Sequence, residues 1–322
     1  MPSLRPLIFR SANWLKIANY WLVAQFAIGL LSIMRLVPPD RALNFADRLG
    51  RWVGPKVGRH KVAVDNLRKA FPEKSEAEIQ AIASDMWANM TRLAVEYIFL
   101  DTLFDFDSKS GKVGRVEVNG VDRFNEMAES RKARITLTAH VGNFEMLAVA
   151  GTHYGLDAAF MFRPPNNPFL ARYIMRARSA GIGNLLASRR GVAFALARIL
   201  EAKGTIGVLV DQKFQRGIRT TFFGRECETS PLVPKLARQY DSDVYPARCI
   251  RLPGNRYRLE VEPKLELPRD AKGQIDAKAT AQLLNGIVER WVREHPGQWM
   301  WFHKRWSLTP PKKPQAGSPH RP

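Results

Sequence analysis

Residues 136–147 read TLTAHVGNFEML: an apolar run ends on a histidine, and a glutamate stands five places later, beyond a Gly-Asn pair. His140 and Glu145 have the composition of an acid/base pair. A neutral imidazole takes the proton of an alcohol or amine as that group attacks a carbonyl, while a carboxylate on the other ring nitrogen fixes the tautomer. In this reading His140 is the general base and Glu145 orients it. The spacing alone is weak, since about one such pair is expected by chance in a chain with this many histidines, and His60 with Asp65 forms a second. Context separates the two. His60 lies between Arg59 and Lys61 in an unbroken helical pattern, where positions i and i+5 face different ways, so that pair reads as a solvated surface. His140 follows the strand-like ITLTA and precedes Gly142-Asn143, a turn into a helix, which allows both His140 and Glu145 to face the carboxyl edge of a sheet. Taken alone, His140 also fits a satisfied core histidine.

Other groups reach the same edge. Asp211 and Gln212 terminate the apolar run IGVLV, where they fit either substrate positioning or support of the histidine. Arg189, with Arg190, follows a loop and precedes a helix, a place for phosphate binding or for a plain solvated basic surface. No Gly-x-Ser-x-Gly elbow is present, which argues against a serine acyl-enzyme. Cys227 and Cys249 lack any CxxC or nearby histidine pattern, so they read as ordinary thiols, with neither a disulfide framework nor a metal site expected.

The elements that must hold these residues change character along the chain. Helical spacing runs through Ala42 to Val53 after Pro38-Pro39, with Asp40 placed to cap it, and again from Lys61 to Phe71. Ser75-Glu-Ala-Glu opens a third helix, with a carboxylate three places after the serine. After Gly111, short apolar runs alternate with helical stretches. Strands are expected at Val116–Asn119, Arg134–Ala139, Ala158–Phe162, Ile206–Val210, Val244–Ile250 and Arg256–Val261. Helices are expected at Val121–Ser130, Asn143–Tyr154, Pro168–Ser179, Val192–Ala202, Pro231–Tyr240 and Ala277–Glu294. That alternation predicts an α/β fold with a mixed, largely parallel central sheet flanked by helices.

The chain has 322 residues and 50 Lys+Arg against 30 Asp+Glu, a formal charge of +20 that should draw it to an anionic partner. Between Lys16 and Arg35 lies IANYWLVAQFAIGLLSIM, an uncharged run that as a helix extends about 27 Å. No small-x-small cleavage site follows it, so it reads as a retained membrane helix, with spanning and interfacial placements both open; a buried amphipathic helix is the competing reading. The organisation expected is an anchor over 1–37, a body over 38–308 (helical at 40–108, α/β at 112–308), and a Pro/Lys-rich disordered tail over 309–322.

Five segments occur together in order: HVGNFE, MFRPPNNP at Met161–Pro168, VLVDQKF at Val208–Phe214, TTFFG at Thr220–Gly224 with Thr229 following, and HPGQWMWFHKRW at His295–Trp306. With the Arg59–Glu73 segment and the apolar amino terminus, they resemble the lipid A late acyltransferases, the lauroyl and myristoyl transferases of Kdo2-lipid IVA, over roughly Leu15 to Trp306. The resemblance implies a fatty acyl chain moving from an acyl carrier protein or coenzyme A thioester to a hydroxyl of a lipid A precursor. It further implies His140 as base with Glu145 as partner, no cofactor, and a site on the cytoplasmic side of a bacterial inner membrane. By the same resemblance Arg163 falls where the family carries an arginine near the catalytic pair; its planar donors suit a phosphate or a developing oxyanion. Asn166, in the same segment, and Arg189 join it as expected substrate contacts. Acyl carrier protein, the lipid A precursor and anionic inner-membrane lipids are the expected partners.

Trp299, Trp301, Phe302 and Trp306, with His303, Lys304 and Arg305, fit either a cap over the site at membrane level or core packing with a basic edge. Nothing in the sequence marks the acyl chain length. Two other readings stand beside this one: the same pair acting on another glycolipid or phospholipid, and a non-catalytic basic protein binding membrane or nucleic acid. Against nucleic acid, the basic residues are spread along the chain and no zinc-finger, RNP or helix-turn-helix signature occurs.

Overall fold

The computed structural model describes residues 5–107, 114–162, 165–179, 184–188 and 191–310. The expected tail from Thr309 lies, beyond its first two residues, outside them. Helix α1 (Arg5–Met34) contains a stretch, Trp14–Met34, long and apolar enough to cross a membrane. One stripe of it, Tyr20, Ala24, Ala27, Ile28, Leu31 and Met34, recurs every three or four residues and turns toward the protein. Asn167 donates to the Tyr20 carbonyl at 2.7 Å, and Arg35 pairs with Asp101 at 2.7 Å. Leu22, Phe26, Leu30 and Ile33, on the other side, are exposed.

Four further helices follow: α2 (Pro39–Val53), α3 (His60–Ala70), α4 (Glu76–Glu96) and the short α5 (Leu100–Leu103). The Ser75 capping box is formed in full, its hydroxyl accepting from Glu78 N while the Glu78 carboxylate accepts from Ser75 N. Asp40, by contrast, is not a cap. The helix starts earlier, because Pro39 at its first position needs no amide partner, and the Asp40 carboxylate pairs instead with Arg115 at 2.6 Å. That guanidinium holds the Asp40 carboxyl below the usual carboxylate range, against the opposing effect of burial.

The α/β part runs β1 (Val116–Asn119), α6 (Val121–Glu129), β2 (Arg134–Thr138), α7 (Met146–His153), β3 (Ala158–Phe162), α8 (Pro168–Ser179), β4 (Asn184–Ala187), α9 (Val192–Glu201) and β5 (Thr205–Leu209). It continues as β6 (Ile218–Phe222), β7 (Arg225–Thr229), α10 (Leu232–Tyr240), β8 (Asp243–Leu252), β9 (Arg256–Val261) and α11 (Ala277–Glu294). Seven strands form one mixed sheet in the order β1-β9-β8-β2-β5-β3-β4, parallel except where β8 meets β9. β4 extends the sheet at its edge, and the separate β6–β7 hairpin packs on α11; neither is among the expected strands.

Period-two alternation sorts side chains to two cores. Val244 and Ile250 of β8 join Ile135, Leu137, Ile206, Val208 and the carboxyl-terminal tryptophans on one side. Tyr245, Ala247 and Cys249 join α2, α5 and α7 on the other. Cys227 and Cys249 are both free and fully buried, and burial pushes the Cys249 thiol far above its ordinary range.

Candidate active site

Chain direction makes the site. From β2 the chain crosses by way of α7 to β3, on the far side of β5; from β5 it travels through the hairpin and α10 to β8, on the far side of β2. The two connections leave in opposite directions, and such a divergence opens a crevice at the carboxyl ends of the strands. His140 lies two residues beyond β2 and Asp211 two residues beyond β5. The parallel register pairs Thr138 with Leu209, and Val210 N donates to Thr138 O at 3.0 Å, so the next residues out, His140 and Asp211, emerge side by side.

Their contacts are close and directional. His140 Nδ1 lies 2.8 Å from Asp211 Oδ1, and the His140 backbone N–H donates to Oδ2 at 3.0 Å. Trp299 Nε1 donates to the same Oδ2 at 2.8 Å. Burial alone would raise the Asp211 carboxyl; the His140 ring and the donated hydrogen bonds outweigh it and hold the group far below the usual carboxylate range. An ionised acceptor on Nδ1 requires Nδ1 to carry the proton, which leaves Nε2 with its lone pair. The Gln212 amide nitrogen stands 3.3 Å from Nε2, in position to donate to that lone pair. The side chain of His140 is 16% exposed, with the Phe144 ring edge-on at 4.9 Å.

At Nδ1, where Glu145 is expected from sequence, the structure places the Asp211 carboxylate. Glu145 sits at the N-cap of α7, and its carboxylate accepts from the hydroxyl of Tyr97, at the end of α4. That bond ties its side chain to the helical layer. The carboxyl-terminal aromatics form core in place of a membrane-level cap: Trp299 and Trp301 are no more than 1% exposed and stand edge to face at 4.7 Å. Arg305, fully buried, bonds to Glu228 O, Thr229 Oγ1 and Asn285 Oδ1. Trp299 nevertheless reaches the site through its indole N–H.

The turn carrying His140 is pinned from below. Gly142 has φ +57°, and a Cβ there would lie 2.0 Å from the Cys249 carbonyl oxygen, so only glycine fits. Its amide donates to Gln298 O at 3.0 Å, and Asn143 N donates to Cys249 O at 2.9 Å. The Asn143 side chain donates to Glu96 Oε2 at 2.9 Å and accepts from Glu145 N at 3.2 Å. Glu96 is wholly buried and is held by the Arg251 guanidinium and by the Tyr257 hydroxyl at 2.7 Å. Sequence reasoning missed this group, since α4, β8 and β9 give no local sign that they converge under the turn.

Of the remaining expected residues, Arg163 and Arg189 lie outside the described residues. Asn166 is exposed in the bend after β3. Its neighbour Asn167, missed from sequence, does the structural work there, its Oδ1 accepting from Phe169 N at 3.0 Å while its amide holds α1. His60 accepts from Trp87 Nε1 at 3.1 Å and Asp65 pairs with Lys69, as separate fixtures of the helical layer.

The chain that folds this way has relatives among known proteins. The family model for bacterial lipid A biosynthesis acyltransferases matches residues 10–307. The lipid A biosynthesis myristoyltransferase of Escherichia coli (strain K12) is 26% identical over 308 residues, 94% of this chain and 91% of that protein. Lipid A biosynthesis acyltransferase 2 of Shigella flexneri is 26% identical over 88% of this chain and 89% of its own. The lipid A biosynthesis lauroyltransferase of E. coli is 24% identical over 92% of both. A match over nearly the whole chain, carrying the sheet and both strand ends that build the site, makes this protein an acyltransferase of the bacterial lipid A biosynthesis acyltransferase family.

Proposed function

We propose that this acyltransferase uses His140 Nε2 as general base to move a fatty acyl chain from a thioester of acyl carrier protein or coenzyme A to a hydroxyl of a lipid A precursor. The observation that carries the proposal is the Nδ1 contact to the buried Asp211, which commits the imidazole to the tautomer whose unprotonated Nε2 is met by the Gln212 amide. The acceptor hydroxyl enters beside Nε2, replacing the Gln212 amide. As its oxygen bonds to the thioester carbonyl carbon, its proton passes to Nε2; the carbon–sulfur bond then breaks and the imidazolium returns that proton to the departing thiolate. The Asp211 carboxylate stabilises the imidazolium throughout. No covalent acyl-enzyme is needed, because the thiolate leaves readily and the hydroxyl is the weaker reactant. Glu145, linked to Asn143 and Tyr97, fixes the turn and the start of α7.

Arg163 and Arg189 supply the phosphate or oxyanion contacts in this reading, and α1 keeps the enzyme on the inner membrane, with the site toward the cytoplasm where such thioesters are made. The test is incubation of the detergent-solubilised protein with a panel of acyl carrier and coenzyme A thioesters and lipid acceptors, with products weighed by mass spectrometry. A single acyl addition to a lipid A precursor, absent with His140→Ala, is the expected result; undiminished transfer by folded His140→Ala would refute the base.

A further inference from the structure

Beyond α1, nine large apolar side chains of the described residues are exposed, and six of them fall between positions 36 and 57: Leu36, Val37, Phe45, Trp52, Val53 and Val57. Helix α2 organises the middle of that stretch. Its buried side is Ala42, Leu43, Ala46 and Gly50, packed on α4. Arg41, Phe45, Arg48 and Trp52 follow one another at spacings of four, three and four, which at about 100° per residue confines them to an arc of about 60° on the outer side. All four are exposed, Phe45 and Trp52 at 57% and 66%. Lys56 continues the stripe, with its ammonium 3.7 Å from the centre of the Trp52 ring.

Charge on this surface is one-sided. The acids of α2 are already paired, Asp40 with Arg115 and Asp47 with Arg51. Arg41, Arg48, Lys56 and Arg59, all exposed, have no carboxylate partner among the described residues. Interleaved aromatics and free cations on one face of a helix match the boundary layer of a bilayer, where rings settle at headgroup depth and cations meet lipid phosphates. The helix also begins five residues after the end of α1, whose outer side is itself apolar. An acidic protein partner would account for the cations. It would leave Leu36, at 85% exposure, and the two large rings without a reason.

We propose that the outer stripe of α2, with the turn after it, is a second membrane contact: Phe45 and Trp52 rest in the headgroup layer of an anionic bilayer, with Arg41, Arg48 and Lys56 on its phosphates. The proposal rests on the membrane association proposed above and is independent of the His140 chemistry. Both native cysteines are fully buried, so a maleimide fluorophore reports the site of a newly introduced one. The full chain carrying Phe26→Cys, Trp52→Cys or the distant exposed Lys272→Cys is labelled and reconstituted into phosphatidylcholine vesicles, with or without phosphatidylglycerol.

The Trp52 label is expected to be quenched by headgroup-nitroxide lipid and shielded from aqueous iodide in the anionic vesicles, with the Lys272 label showing the reverse. Arg41→Gln together with Arg48→Gln should weaken that seating about 25-fold, about fivefold for each charge removed, and added salt should mimic the change. If the Phe26 label is in lipid while the Trp52 label is as open to iodide as Lys272, the second contact is refuted and the anchor stands. If the Phe26 label is also in water, both membrane readings fail. Shielding at Trp52 that appears only when an acidic carrier protein is added would identify a protein-docking surface and overturn the proposal.

Discussion

Asp211→Asn distinguishes the two carboxylates that compete to govern the imidazole proposed as base. In the wild type Oδ2 accepts from His140 N at 3.0 Å and Trp299 Nε1 at 2.8 Å, while Oδ1 faces His140 Nδ1 at 2.8 Å. An asparagine keeps both Oδ2 donors if its carbonyl oxygen takes that place, so the surrounding structure stays. Its NH2 group then confronts Nδ1. Two N–H groups cannot share one hydrogen bond, so the ring proton moves to Nε2 and Nδ1 becomes the acceptor. Nε2 can no longer receive the acceptor's proton. The same kind of tautomer reversal in a serine-protease triad costs about 10⁴ in turnover, and a loss of about 10³–10⁴, or roughly 4–5.5 kcal/mol of barrier, is expected here. Substrate binding should change little, because the carboxylate acts on the ring and not on the lipid. Stability should fall by only about 1–2 kcal/mol, as one charge-assisted hydrogen bond becomes a neutral one. The assay is single-turnover acyl transfer by the purified full chain, with a denaturant melt beside it, and Glu145→Gln measured in parallel. If Asp211→Asn keeps turnover within about tenfold of wild type while Glu145→Gln loses about 10³, Glu145 is the brace and the tautomer argument is wrong.

Gly142→Ala should destabilise the protein by at least about 2 kcal/mol in a denaturant melt, since it combines a positive φ with a Cβ placed 2.0 Å from the Cys249 carbonyl oxygen. Glu96→Ala strands Arg251 in the core without its anion and should cost about 3–5 kcal/mol by the same measurement; a loss confined to activity would mean that the pair serves the site alone. The folded Asp211 carboxyl lies well below its ordinary value of 3.8, so its contribution to stability is complete above that value and drains away as pH falls toward the folded pKa. The melting temperature of Asp211→Asn should therefore fall less steeply than that of wild type below about pH 4, and Asp211 should leave the activity profile flat from pH 5 to 8.

How far the sequence could be read depended on the range of the interaction. Periodicity and breakers are local, and the helices after Gly111 accordingly begin and end within about three residues of their expected limits. β4 escaped because a four-residue, half-exposed edge strand buries too little to impose an alternating pattern. The β6–β7 hairpin did carry a sign, a Phe223-Gly224 turn whose two residues both take positive φ, but phenylalanine is not a residue that advertises such a turn. His140 was legible because strand, turn and helix adjoin it in the chain, and Asp211 was legible as a residue at the same sheet edge. What sequence left open was whether Asp211 positions substrate or supports the histidine. That depends on the parallel register of β2 with β5, in which every partner stands 71 positions further along, from Arg134 with Thr205 to Thr138 with Leu209. His140 and Asp211 keep that same offset beyond the strand ends. Glu145 stands five places from His140 yet is sent elsewhere by the turn between them, while Asp211, 71 places away, arrives at Nδ1. Nearness in the chain therefore does not decide which carboxylate meets the ring, and a one-residue slip in the β2–β5 ladder would have removed the Asp211 contact.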